Sequence, residues 1–158
     1  MSKIQENYVF TAFGFDVLLH NVRMVESEGE IYPDINLNEV KLNTAKQLLK
    51  SKERLTGKKL KFLRTFLRTS YNSLGQIISA PPSTIRSWEE KGQEATGMSV
   101  PQERQMRIFT IESILNLERK HIEKQIVMAE SYDSPSHQSV DLGDAPDLSY
   151  LNQAAVII

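Results

Sequence analysis

The stretch from Leu55 to Gly92 constrains the fold most, because its apolar residues recur at helical spacing in three short bursts. Leu60, Leu63 and Leu67 stand at i, i+3 and i+7, and Phe62 and Phe66 widen the stripe, as in an amphipathic helix. Thr56 occupies the N-cap position. Ser70 offers a second N-cap, and Leu74, Ile77 and Ile78 supply the apolar side of a shorter helix. The pattern then breaks from Ser79 to Pro82. Pro82 sits where a third helix begins, in the first turn, where the amide that proline lacks would have no partner. In that third helix Thr84, Ile85 and Trp88 fall on one side, suited to a small core. Pro82, Ser83, Arg86 and Ser87 fall within about 140° of arc on the other. Three short helices in about 35 residues, the last two joined by a tight turn, predict a helix-turn-helix unit.

The second face carries one long forked donor, Arg86, between two short hydroxyls, Ser83 and Ser87, which suits base edges in a DNA major groove. An amphipathic surface helix with no ligand reads the same way over these residues alone. Charge tips the balance. Residues 41–92 hold 12 Lys and Arg against 3 Asp and Glu, a net of +9, in a chain whose total is −1. Residues 1–40 hold 2 against 7, residues 93–129 hold 5 against 5, and residues 130–158 hold none against 5. A basic block that coincides with the helix-turn-helix is the footprint expected for a polyanion partner, with a merely solvated basic face as the bland alternative. Lys58, Lys59, Arg64 and Arg68 are the candidate phosphate contacts, joined by Ser70, Thr84 and the helix-start amides. Arg86 is the candidate for direct readout of guanine, with Ser83 and Ser87 beside it and Pro82 against a thymine methyl.

The run Ser70-x-x-x-Leu74-Gly75-x-x-Ile78-x-x-x-x-Ser83-Thr84-Ile85-Arg86-Ser87-Trp88-Glu89-x-x-Gly92 resembles the XRE (Cro/repressor-like) helix-turn-helix family. The preceding Leu55-Thr56-Gly57, with Leu60, Phe62, Leu63 and Arg64, is similar to the first helix of its MqsA/HigA-type antitoxin subgroup. Tyr8-x-Phe10-Thr11-x-Phe13-Gly14-Phe15-Asp16-x-Leu18-x-x-Asn21 resembles, more loosely, the segment preceding the helix-turn-helix in that group. The resemblance implies a five-helix, lambda-repressor-like domain in which Trp88 packs under the recognition helix and Gly92 ends it. The chain departs from the family at Tyr71, where a Gln is usual, and at Ser79-Ala80-Pro81, which replaces a Gly-Val-Ser turn. Members with a zinc site build it from cysteines, and this chain has none, so the likeness is to metal-free relatives.

Upstream, the aromatic and β-branched run from Asn7 to Phe13, then Val17–Leu19 and Val22–Val25 interrupted by His20-Asn21, predict strands. Glu28-Gly29-Glu30 reads as a hairpin turn into Ile31-Tyr32, giving an antiparallel sheet of about three strands. Leu37, Val40, Ala45, Leu48 and Leu49 give a helix to about Ser51. Pro101 opens a long helix to about Glu130, whose apolar stripe thins to Ile122 and Ile126, either a dimer seam or a solvated end with ion pairs. From Ser131 onward Ser, Asp, Pro and Gly dominate, which predicts an acidic flexible tail with apolar islands at Leu148–Leu151 and Ala155–Ile158.

The expected fold is therefore mainly α with a small N-terminal antiparallel β-sheet, a five-helix helix-turn-helix domain, a long C-terminal helix and an acidic tail. The expected segments are 1–51, 52–118, 119–130 and 131–158. His20, His121 and His137 lie far apart, and no phosphate loop or nucleophile elbow occurs, so neither a catalytic site nor a metal or cofactor is expected. No apolar run suits a bilayer and no signal segment opens the chain, which makes the cytoplasm the default. The resemblance implies a repressor that binds a double-stranded DNA operator as a homodimer, the antitoxin of a type II toxin–antitoxin pair that neutralises a toxin protein and represses its own operon. A stand-alone repressor of a phage or mobile element, and an adaptor whose helix-turn-helix no longer binds DNA, stay open beside it.

Overall fold

The computed structural model describes residues 3–131 and 155–157. The described residues are mixed α/β, with five helices and a small antiparallel sheet. Strands β1 (Lys3–Phe10), β2 (Val17–Ser27) and β3 (Glu30–Asp34) lie in the order β1-β2-β3. Helices α1 (Leu37–Lys50), α2 (Gly57–Phe66), α3 (Tyr71–Ile78), α4 (Pro82–Glu90) and α5 (Val100–Ser131) follow.

The β2–β3 hairpin turns on Glu28 (φ 55) and Gly29 (φ 82), two left-handed residues that match the twist of the flanking strands. β2 runs without a break through His20-Asn21, where two segments had been expected. The apparent interruption is a change of phase. Asn21 takes a φ of 55, so Val17 and Leu19 before it and Val22 and Met24 after it are all buried, although strict alternation would put the second pair outside. A further strand, β4 (Ala155–Ile157), pairs with β2 from Leu19 to Val17 and packs against α1. This apolar island of the tail thus extends the chain's own sheet. The rest of the expected acidic tail, including Leu148–Leu151, lies outside the described residues.

The expected segments 1–51 and 52–118 share one core. Phe13 and Phe15 of the β1–β2 turn meet Phe62 of α2 at 4.7 and 5.6 Å between ring centroids. The α1–α2 connection is fastened by α5. Arg107 donates to the carbonyls of Leu48 (2.9 Å), Ser51 (3.1 Å) and Glu53 (2.8 Å), satisfying oxygens that the end of α1 leaves open. Buried Glu103 accepts the Leu55 amide and pairs with Arg54.

Local signals set the helix ends. Thr56 and Ser70 cap α2 and α3 through side-chain oxygens, accepting from the Lys59 and Ser73 amides at 3.3 and 3.1 Å. α4 begins at Pro82 with no side-chain cap, and the Pro81 carbonyl takes the Thr84 and Ile85 amides. Gly92, at φ 62, follows α4 in the left-handed conformation that stops a helix. Ser79 does the same for α3 at φ 55, and the Ala80 amide returns to the Gly75 carbonyl at 3.0 Å.

Glycine is required at Gly75, where a Cβ would stand 2.4 Å from the Ala80 carbonyl oxygen. That close approach lets α3 pack against the turn into α4. Gly75→Ala is expected to lower stability by about 1–3 kcal/mol, the usual cost of forcing extra volume into a packed site. Chemical denaturation checks this, and an unchanged midpoint would contradict it.

Candidate nucleic-acid interface

α4 is an amphipathic helix whose inner side is fixed by packing. Ile85 is fully buried, and Trp88 is half-buried against the same core. On the outer side Ser83, Arg86 and Ser87 are exposed, while Pro82 and Thr84 are half-buried. The four expected base-reading residues therefore stand together, three of them exposed.

The inner anchor is the carboxylate that follows Trp88. Glu89 is buried, its side chain 5% exposed. It accepts from Arg64 of α2 at 2.6 Å and from the Tyr71 hydroxyl of α3 at 2.8 Å. Arg64 also donates to Tyr71 Oη and to the Thr69 carbonyl, both at 3.3 Å. One carboxylate thus joins three helices. Its hydrogen bond holds the Arg64 guanidinium further toward its charged form, outweighing the opposite effect of burial. The bond that Tyr71 donates to Glu89, helped by burial, pushes that hydroxyl above its usual 10.0.

Arg64 must therefore be corrected as a phosphate contact. Its side chain is 16% exposed and its guanidinium is committed to Glu89, Tyr71 and Thr69. Lys59 is drawn the same way, with a 15% exposed side chain and its Nζ 3.9 Å from Glu53. Ser70 is exposed, but its hydroxyl caps α3 and bonds to Ser73.

Lys58 and Arg68 are exposed and line a cleft of about 860 Å³ between the β1–β2 turn, α1, α2 and α5. Lys41 and Lys61 line it too, over a floor that includes Phe62 and Phe66. These two lysines were missed, although Lys61 follows Lys58 by three residues and so shares its helical face. Arg68 takes a φ of 52 just past α2, where its amide bonds the Thr65 carbonyl at 3.0 Å.

Arg86 pairs with no carboxylate among the described residues, and its Cζ lies 4.8 Å from the centroid of the Tyr71 ring. The Arg64 Cζ lies 4.1 Å from the same centroid. Tyr71, noted in the sequence only as a departure from a family pattern, is the residue on which the two arginines meet.

Because the folded state raises Tyr71 above its usual 10.0, the protonated hydroxyl favours the fold. That contribution is complete below about pH 10 and is lost as the pH rises through the folded-state value. Denaturation midpoints followed upward from about pH 8 should fall more steeply in the wild type than in Tyr71→Phe, which has no proton to lose. Parallel curves would contradict this. Compared with family models, curated proteins and solved structures, the chain matches none.

Proposed function

We propose that this chain is a sequence-specific repressor that binds duplex DNA as a dimer through a lambda-repressor-like helix-turn-helix formed by α3 and α4. The observation that carries the reading is the outer face of α4: exposed Ser83, Arg86 and Ser87 on a helix whose opposite side is locked by Ile85 and Glu89. Arg86 is the guanine reader, with its forked N–H groups toward the O6 and N7 acceptors. Ser83 and Ser87 add weaker contacts, and Pro82 meets a thymine methyl. Lys58 and Arg68, with Lys61 and Lys41, supply the phosphate contacts that orient the protein on the duplex. Ser70 and Thr84, near the starts of α3 and α4, complete the set of phosphate contacts.

The two copies would pair along α5. Ile108, Ile111, Leu115, Ile122 and Ile126 fall within about 60° of arc on the face away from buried Met106 and Thr110. They are 40–58% exposed. A stripe at this spacing is what pairing of helices requires, and it begins well before the 119–130 extension. Two-fold pairing would set half-sites about one helical turn apart. The XRE and MqsA-type resemblance supplies the biological half of the reading: an antitoxin that neutralises a toxin and represses its own operon.

Gel shifts on the gene's own upstream DNA at two salt concentrations test this. Arg86→Ala should lose about 1–3 kcal/mol of discrimination at one base pair. Lys58→Ala should weaken binding to all sequences alike and reduce the salt slope by about 0.9. Equal binding of Arg86→Ala to every operator variant would overturn the readout role, and salt-insensitive or absent binding would overturn the DNA reading.

A further inference from the structure

Arg86 is a long, exposed side chain, and such a side chain ordinarily loses much rotamer freedom when it docks. Here it lies against the Tyr71 ring, its Cζ 4.8 Å from the centroid. The ring is contacted at its hydroxyl and on its face. Its hydroxyl donates to Glu89 at 2.8 Å, and that carboxylate is held at 2.6 Å by Arg64, whose own guanidinium also lies over the ring. A guanidinium resting on an aromatic face keeps its N–H edges free for a bidentate partner.

We propose that Tyr71 is the positioning residue for base readout: it holds Arg86 against its ring so that the guanidinium meets the groove already oriented. The proposal rests on the DNA-binding reading above. It assigns the ring to Arg86 and the hydroxyl to Glu89, two functions that substitution separates. Tyr71→Phe keeps the ring and drops the hydroxyl, whereas Tyr71→Leu drops both.

Two measurements test it. In the free full-length protein, the Arg86 δ-methylene protons should be shifted upfield by the ring current in wild type and Tyr71→Phe, and return to ordinary positions in Tyr71→Leu. Ordinary positions in the folded wild type overturn the proposal even if Tyr71→Leu does not fold. Next, wild type selects a duplex from a random pool, and affinities are measured for it and for a duplex changed at the base pair that Arg86→Ala ceases to discriminate. Tyr71→Leu should reduce that discrimination about twofold to fivefold, and Tyr71→Phe should retain it. In an Arg86→Ala background Tyr71→Leu should have no further effect, which a loss through general loosening of the fold would not reproduce. A wild type that selects no duplex overturns the DNA reading and this role with it. A wild type that selects one, with Tyr71→Leu discriminating equally well, overturns the positioning role alone.

Discussion

A carboxylate taken out of water is costly unless a cation and further donors meet it, and Glu89 is met by both. Arg64 arrives from α2 and Tyr71 from α3, so the buried charge ties three helices at one point. Removing one member of such a pair typically costs about 3–5 kcal/mol, because the other is left charged and alone. The arrangement also dictates orientation. α4 can meet that anchor in only one rotation about its axis, and that rotation turns Ser83, Arg86 and Ser87 outward. The inner polar contact thus fixes the outer polar face.

Around this anchor the other elements hold their places by ordinary packing and by satisfied backbone groups. Gly75 lets α3 approach the turn into α4, and Gly57 lets the start of α2 approach the end of α4, where a Cβ would stand 2.5 Å from the Trp88 carbonyl oxygen. Arg107 and Glu103 fasten the α1–α2 connection onto α5, and Lys46 joins α1 to Glu118 of α5 at 2.6 Å. The phenylalanines of the β1–β2 turn close over α2. The cations of α2 and α1 consequently gather about one cleft.

Features governed by neighbours in the chain were legible in the sequence. Thr56 and Ser70 as caps, Pro82 at a helix start, the turn at Glu28-Gly29 and the period of α1 all follow from local geometry. Features governed by partners far along the chain were not. Glu89 looks like any acidic residue near a helix end until Arg64, 25 positions earlier, is brought beside it. Tyr71 shares the i, i+3, i+7 stripe of Leu74 and Ile78, but nothing local shows that its hydroxyl meets Glu89. The phase change at Asn21 resembled a break because a left-handed residue and a strand end interrupt alternation in the same way. β4 is too short for periodicity, and only its pairing with β2 defines it. Of the expected arrangement, the grouping of Pro82, Ser83, Arg86 and Ser87 on α4 was readable because they share one short helix, whereas the expected phosphate set is divided by tertiary contacts that charge alone does not reveal.

The central claim is that the outer face of α4, held by Glu89, is the surface that meets duplex DNA. Backbone amide shifts recorded while the full-length protein is titrated with duplex from its own upstream region test this directly. The account predicts the largest changes at Ser83, Arg86 and Ser87 and at the start of α3, with the β-sheet amides little changed. Changes centred on the sheet or on α5, with α4 silent at saturation, would contradict it.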